Sequence, residues 1–305
     1  MEFWNTQQWL SGDFNGDGKD DFAKVFNDGG LASIDVHLSS GSGFSFSRWA
    51  TRQGGFWNTQ QWLSGDFNGD GKDDFAKVFN DGGLASIDVH LSSGSGFSFS
   101  RWATRQGGFW NTQQWLSGDF NGDGKDDFAK VFNDGGLASI DVHLSSGSGF
   151  SFSRWATRQG GFWNTQQWLS GDFNGDGKDD FAKVFNDGGL ASIDVHLSGG
   201  SGFSFSRWAT RQGGFWDAQK WLSGDFNGDG KDDFAKVFYD SGLASIDVHL
   251  SSGSGFGFNR LVTRQGGFWD TQKWLSGNFN GDGKDDFGKA FNDGGLASID
   301  VHLLF

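Results

Sequence analysis

Short runs of alternating apolar and polar residues make up much of the chain, and polar, glycine-rich segments separate them. The run Ser33–Ser39 alternates strictly and places Ile34, Val36 and Leu38 on one face, which is typical of a β-strand with one buried side. No segment has the 3.6-residue period of an amphipathic helix. The pattern therefore predicts an all-β protein.

Three more strands are predicted around this one, over Gln8–Phe14, Phe22–Phe26 and Phe44–Trp49. The segment Asn27–Gly30 separates the second strand from the third and is a strong turn signal. A longer polar, glycine-rich segment follows the first strand and is predicted to be a loop. Together these elements predict a four-stranded antiparallel meander.

The meander is repeated along the chain. A Phe-Trp pair starts each copy, and the copies cover residues 3–55, 56–108, 109–161, 162–214, 215–267 and 268–305. Within the complete part, the first four copies differ only at Gly199, which replaces the serine found at Ser40, Ser93 and Ser146. Such near-identity suggests recent amplification or deliberate design of the repeat.

Five complete four-stranded units and a sixth, incomplete one in succession predict a β-propeller that forms a single domain over residues 1–305. A β-solenoid is the main alternative, but its coils are usually shorter than this repeat. The sixth unit supplies only three strands within the sequence, so its fourth strand is missing and an exposed sheet edge is expected. Because all units offer nearly the same surface, self-association through this incomplete repeat is predicted.

The loop after the first strand carries the clearest chemistry. It places oxygen ligands at positions one, three, five and nine, namely Asp13, Asn15, Asp17 and Asp21, and the carbonyl of Lys19 can supply position seven. Hard oxygen donors in this number suit Ca²⁺. The loop is not an EF-hand, because position twelve is lysine and the flanking elements are strands. The loop therefore predicts calcium as the cofactor.

Five further copies of this loop occur, and the carboxylates in each would repel one another without a cation. The sixth loop begins with asparagine, a neutral ligand, and is expected to be the weakest site. The predicted ligands of these loops are Asp66, Asn68, Asp70, Lys72 and Asp74; Asp119, Asn121, Asp123, Lys125 and Asp127; Asp172, Asn174, Asp176, Lys178 and Asp180; Asp225, Asn227, Asp229, Lys231 and Asp233; and Asn278, Asn280, Asp282, Lys284 and Asp286.

The segment Gly12–Phe22 and its copies resemble the calcium-binding blades of the FG-GAP/VCBS repeat family. This family includes integrin α-chain propellers and the Psathyrella velutina lectin. The resemblance implies a propeller with calcium in the hairpin between the first two strands of a blade, and an extracellular location. The chain offers six units, whereas familiar members have seven, and it begins without a recognisable signal peptide.

Two interpretations of the partner follow. Aromatic faces bind sugars well, which favours a multivalent lectin whose candidate ligand-binding residues are Trp4, Trp57, Trp110, Trp163, Trp216, Trp269, His37, His90, His143, His196, His249 and His302. The alternative is an integrin-like protein-binding or purely structural propeller, in which the aromatic residues mainly pack between blades. The sequence supports both.

Composition and charge exclude other classes of function. A net charge of -14 argues against binding to nucleic acid, and no apolar run is long enough to insert into a membrane. Asp35 and His37 could form an acid–base pair, but six identical copies favour a structural Asp–His hydrogen bond instead. We therefore predict that the protein is not an enzyme.

Overall fold

The computed structural model describes residues 7–56, 60–109, 113–162, 166–215, 219–268 and 272–304, except for the side chain of Thr263. Within these ranges, strands form five four-stranded antiparallel sheets and one three-stranded sheet, each with its strands in chain order. The predicted six-bladed propeller is confirmed, including the three-stranded last blade. The described residues include no helix long and apolar enough to cross a membrane.

The strand bounds repeat closely from blade to blade. Blade 1 contains β1 (Gln8–Gly12), β2 (Asp21–Asp28), β3 (Leu31–Ser39) and β4 (Phe44–Gly55). Blade 2 contains β5 (Gln61–Gly65), β6 (Asp74–Asp81), β7 (Leu84–Ser92) and β8 (Phe97–Gly108). Blade 3 contains β9 (Gln114–Gly118), β10 (Asp127–Asp134), β11 (Leu137–Ser145) and β12 (Phe150–Gly161). Blade 4 contains β13 (Gln167–Gly171), β14 (Asp180–Asp187), β15 (Leu190–Ser198) and β16 (Phe203–Gly214). Blade 5 contains β17 (Gln219–Gly224), β18 (Asp233–Asp240), β19 (Leu243–Ser251) and β20 (Phe256–Gly267), and blade 6 contains β21 (Lys273–Gly277), β22 (Asp286–Asp293) and β23 (Leu296–His302).

The fourth strand is longer than its alternating pattern predicts. β4 continues past Trp49 to Gly55, and its pairing with β3 shifts register between Ala32 and Ile34. Beyond this irregularity, Arg52 adopts a φ of 54° and its N–H donates a hydrogen bond to the hydroxyl of Ser33 (2.9 Å). Such a bulge disrupts the alternation, which is why the pattern underestimates the strand.

The ring closes between blades 6 and 1. The Ser64 hydroxyl donates to the carbonyl of Ser11 (2.8 Å), and the Ser11 hydroxyl donates to the carbonyl of Ser276 (2.7 Å). Equivalent bonds link the first strands of all the other neighbouring blades. The first strands therefore surround the central axis, and the fourth strands of blades 1 to 5 lie outermost.

Large aromatic side chains fill the space between blades. Phe14 of blade 1 stacks on Phe75 of blade 2 (4.8 Å between ring centroids), and Trp49 packs against Phe97 (5.4 Å). Trp62 is almost fully buried in the same cluster. Each such aromatic pair stabilises the protein by about 0.5–1.5 kcal/mol beyond its buried area. Most of the abundant Phe and Trp side chains thus pack in the core. This is what the integrin-like or structural interpretation of the sequence expects.

Candidate functional site

The acidic loops connect the first two strands of each blade and are held by their own side chains. The carboxylate of Asp13 accepts hydrogen bonds from the backbone N–H groups of Gly16 (2.7 Å), Asp17 (3.1 Å) and Gly18 (2.7 Å). Gly16 and Gly18 have φ angles of 76° and 81°, a conformation that disfavours other residues. The tight turn that gathers the oxygens therefore depends on the Asn-Gly-Asp-Gly sequence.

One carboxylate of each loop has a buried oxygen with no partner. Asp21 is fully buried, and its Oδ1 accepts a hydrogen bond from the backbone of Ser39 (2.7 Å). Its Oδ2 has no hydrogen-bond partner among the described residues, and the same is true in the other five loops. Burial, reinforced by the charges of Asp13 and Asp17, raises the pKa of Asp21 to about 7. An anion in this position is therefore short of a positive partner.

The donor set has the oxygen chemistry that a hard cation requires, but several of its oxygens accept hydrogen bonds from N–H groups of the same loop. Within the described residues, no three acidic, histidine or cysteine side chains are placed to hold a metal ion. Asn15 Oδ1 instead accepts from the N–H of Asp17 (2.8 Å), and Asp17 Oδ1 accepts from that of Lys19 (3.0 Å). The fit therefore depends on the oxygen chemistry of the loop and on the unpartnered Asp21 oxygen.

The residue directly before each buried aspartate, such as Asp73 before Asp74, links neighbouring loops. Sequence analysis missed this role. Asp73 Oδ2 accepts from the N–H of Asp13 in the preceding loop (2.9 Å), and the N–H of Asp73 donates to the carbonyl of Asp13 (2.9 Å). A Cβ at Gly12 would lie only 2.3 Å from Asp73 Oδ2, so only glycine fits there. Asp20 makes the same contacts with Asn278, which closes the circle of loops.

Burial raises the pKa of Asp73 to about 7, and the charge of the neighbouring Asp20 adds to this rise. No signal in a single repeat reveals this link, because the paired residues are 60 positions apart.

The sixth loop differs as its sequence predicts. Asn278 accepts N–H bonds from Gly281 (2.9 Å) and Asp282 (3.0 Å), whereas Asp13 accepts three such bonds. The amide has one oxygen where the carboxylate has two, and it carries no charge. This loop therefore has less hydrogen bonding and less negative charge than the other five.

A buried ion network occupies the outer part of each complete blade. In blade 2, Asp88 accepts from Arg101 Nε (2.5 Å) and Nη2 (3.2 Å) and lies 3.2 Å from Lys77 Nζ. Lys77 also donates to the carbonyl of Gly55 in blade 1 (2.5 Å). Burial lowers the pKa of Lys77, and the charge of Asp88 opposes this shift. The aspartate therefore pairs with Arg101 and Lys77, and the predicted Asp–His hydrogen bond is wrong.

The candidate histidines lie beneath the surface. The His90 ring contacts Trp62 (5.3 Å) and Phe99 (5.2 Å), and neither ring nitrogen has a hydrogen-bond partner among the described residues. Burial, followed by the charge of Lys77, lowers the pKa of His90 to about 4. Its counterparts His37, His143, His196 and His249 are also buried, and His302 is half-buried. The neutral imidazoles act as packing groups here, and their ligand role stays a prediction.

A different aromatic group is exposed at the blade junctions. Phe99 is 42% exposed, and a Cβ at Gly54 of blade 1 would lie 2.7 Å from its ring. The guanidinium of Arg101 lies two positions further along the same strand, over the ring of Phe79 (5.0 Å). The equivalent phenylalanines in the other four complete blades are similarly exposed: Phe46, Phe152, Phe205 and Phe258. The strand pattern did not separate these rings from the phenylalanines two residues earlier, which are buried in blades 2 to 5 and half-buried in blade 1.

The candidate ligand-binding tryptophans lie outside the described residues. They are Trp4, Trp57, Trp110, Trp163, Trp216 and Trp269. The phenylalanine before Trp57 is described, and its N–H donates to the carbonyl of Gly30 (2.9 Å). The connection between blades is thereby tied to the turn between the second and third strands.

Comparisons with known proteins support the fold. No protein-family model and no curated protein matches the chain, so membership of the FG-GAP/VCBS family stays a prediction. The Photorhabdus luminescens Tc holotoxin pore is similar over 97% of this chain, with a TM-score of 0.61 and 14% identity, but this chain spans only 14% of that one. The Aleuria aurantia lectin AAL, solved with Fucalpha1-6GlcNAc, has a TM-score of 0.56 and 10% identity over 98% of this chain and 96% of its own. AofleA from Arthrobotrys oligospora has a TM-score of 0.61 and 9% identity over 98% and 87%.

Proposed function

We propose that the protein is a calcium-stabilised propeller that binds carbohydrate at several equivalent sites. The observation that carries the calcium part is the buried Asp21 Oδ2, which has no partner among the described residues and recurs in all six loops. A buried charge without a partner is costly, and a bound cation removes that cost. Six copies make this a systematic property of the repeat.

The cation would be held by Asp13, Asn15, Asp17, the carbonyl of Lys19, and Asp21. Bound calcium supplies positive charge that keeps these carboxylates ionised. Asp21 also contacts the backbone at the end of β3 through Ser39, so a filled loop would secure the hairpin of β2 and β3. The role is therefore structural, and it does not require the cation to contact a ligand.

Metal analysis after dialysis against calcium tests this assignment. We expect close to six calcium ions per chain, and one fewer in Asp127→Asn, because this change removes the buried charge in a single loop. Asp134→Asn is the matched control, since this aspartate is the last residue of β10, at the opposite end of the strand from Asp127. Absence of bound calcium from the folded wild-type protein would refute the calcium part.

The carbohydrate part depends on the outer surface of the blade junctions. There an exposed phenylalanine and a part-exposed arginine recur in each complete blade, as Phe99 and Arg101 do in blade 2. A flat apolar face with hydrogen-bond donors beside it suits the C–H surface and hydroxyl groups of a sugar. The complex of AAL with a fucosylated disaccharide supports sugar binding by a propeller of this size.

Repetition would compensate for weak individual sites. A multivalent glycan surface that engages two or more junctions converts later binding events into intramolecular ones, and the overall affinity can rise by about 10²–10⁴. The nearly identical blades therefore favour a clustered glycan over a single small molecule.

A glycan array tests the carbohydrate part. We expect binding to a limited set of glycans, and loss of that binding when the five exposed phenylalanines are changed to serine. A variant with Ser45, Ser98, Ser151 and Ser204 changed to threonine is the control, since these residues alternate with the phenylalanines along the same strands. No binding by the calcium-loaded wild type would refute this part and favour the integrin-like alternative.

A further inference from the structure

Among the described residues, the outer face of blade 6 is less covered than that of the other blades. In each complete blade the fourth strand pairs with the third, but within the described residues no strand pairs with the outer edge of β23. Ile299 and Val301 are only partly buried, whereas their counterparts Ile34 and Val36 in blade 1 are fully buried. This edge presents unpaired backbone groups beside an apolar surface.

A pocket with apolar side chains on one part of its wall and serines and glycines of blade 1 on another adjoins this edge, at the junction of blades 6 and 1. Its volume is about 250 Å³, which far exceeds the roughly 30 Å³ that one water molecule occupies in the liquid. The apolar side chains that line it are Phe44, Phe279, Ile299, Val301 and Leu303. The pocket therefore has room for a large side chain.

The other junctions show which side chain fills the equivalent space. A Cβ at Gly96 would lie 3.5 Å from the carbonyl of Trp49, whose ring packs against the buried Phe97. The corresponding glycine of blade 1, Gly43, has nothing within 4 Å of that position, and Phe44 is only partly buried. The pocket thus corresponds to the site of a fourth-strand tryptophan.

The charge at this edge is also incomplete. Asp300 is 53% exposed and pairs with Lys289 (3.2 Å), whereas Asp88 of blade 2 is 1% exposed and pairs with both Lys77 and Arg101. Among the described residues, no arginine lies within ion-pair distance of Asp300. A guanidinium that reached β23 at this position would restore the network of the complete blades.

We propose that the outer face of blade 6 is a docking site for a separate extended segment with the chemistry of the repeat's own fourth strand. Its tryptophan fills the pocket, its arginine pairs with Asp300, and its backbone continues the sheet from β23. This is binding by β-strand addition, with affinity from main-chain hydrogen bonds and selectivity from the two side chains. The proposal stands on the fold and does not depend on calcium or sugar binding.

Titration of the full-length chain with a synthetic peptide tests this proposal. The peptide has the sequence of Phe97–Gly108, and calorimetry should show saturable binding of one peptide per chain. Arg101→Ala or Trp102→Ala in the peptide should each weaken binding about tenfold or more. Asp300→Asn in the chain should weaken the parent peptide similarly but have little further effect on the Arg101→Ala peptide, because both changes remove the same ion pair.

Two matched proteins check where the peptide binds. Asp293→Asn alters an exposed aspartate at the start of the β22–β23 turn, away from the pocket, and should bind the peptide like the wild type. A chain extended after its last residue with a copy of Gly41–Gly55 should fill its own site and bind no peptide. Absence of saturable binding to the folded wild type, or equal binding to the extended chain, would overturn the proposal.

Light scattering tests whether a second folded copy of the chain, instead of a peptide segment, occupies the outer face of blade 6. The proposal expects the mass of one chain, in the presence and absence of peptide. A dimer that the peptide does not dissociate, and that the extended chain does not form, would assign the face to self-association and overturn peptide docking.

Discussion

Blade 3 and blade 6 contain the same third-strand sequence in two different environments. Asp141 of β11 is 1% exposed and pairs with both Arg154 and Lys130, whereas Asp300 of β23 is 53% exposed and pairs with Lys289. The fourth strand makes this difference, because it both covers the aspartate and supplies the arginine. The same residue is therefore part of a buried network in one blade and of an ion pair between a half-exposed aspartate and a buried lysine in the other.

Removal of the charge should have the largest effect in the complete blade. Asp141→Asn leaves Lys130 buried without its anionic partner and should lower the free energy of unfolding by about 3–5 kcal/mol. Asp300→Asn removes an anion that is half exposed to solvent, which screens its charge, and should cost less than Asp141→Asn although Lys289 is itself buried. Denaturant unfolding of both variants in calcium measures the difference, and equal losses would show that the fourth strand does not control this network.

The histidines of the two blades should differ in their pH dependence. Burial lowers the pKa of His143 to about 4, so the folded protein keeps this imidazole neutral while the unfolded chain protonates it below about pH 6.5. The contribution of this neutral imidazole to the free energy of unfolding is therefore fully present above pH 6.5 and is lost as the pH falls towards 4.

The stability difference between the wild type and His143→Gln should accordingly change by about 2–3 kcal/mol between pH 7 and pH 4. His302 is only half-buried, and His302→Gln should show a smaller change in the same direction. Comparison of each variant with the wild type at every pH cancels the titration of the aspartates. A pH-independent difference for His143→Gln would contradict a buried, neutral imidazole.

The loops of the two kinds of blade should differ in calcium affinity. Asp172→Asn gives the fourth loop the first ligand of the sixth, and we expect about tenfold weaker binding at that site, equivalent to about 1.4 kcal/mol. The reverse change, Asn278→Asp, should strengthen the sixth site to a similar degree. Isothermal titration calorimetry with calcium measures both affinities. Unchanged affinities would show that the first residue of the loop does not bind the cation.

The fold followed from local patterns, because alternation such as that of Ser33–Ser39 and the repeat itself are properties of short segments. The link between Asp73 and Asp13 could not be predicted in the same way, since it depends on how one blade sits against the next. The exposure of Phe99 beside the buried Phe97 has the same origin. Interactions between blades therefore could not be predicted from the pattern of a single repeat.

The bulge in the fourth strand shows a second limit. Arg52 has a φ of 54°, which is uncommon for residues other than glycine. An arginine in the sequence does not indicate this conformation, so the bulge could not be predicted. Most of the predicted ligands of the acidic loops, in contrast, lie in one short turn whose shape depends on its glycines, and Asp21 follows as the first residue of β2. Their cation-binding role stays a prediction.

Thermal unfolding with and without calcium tests the central claim most directly. If the sites bind only the folded ring, each adds about 2.7 kcal/mol at a hundredfold excess of calcium over its Kd. Several such contributions would rival the whole stability of a typical domain, about 5–15 kcal/mol. We therefore predict that chelation with EDTA, after verified removal of metal, lowers the Tm substantially and that added calcium restores it. Identical unfolding curves for the metal-free and calcium-loaded protein would contradict a calcium-stabilised propeller.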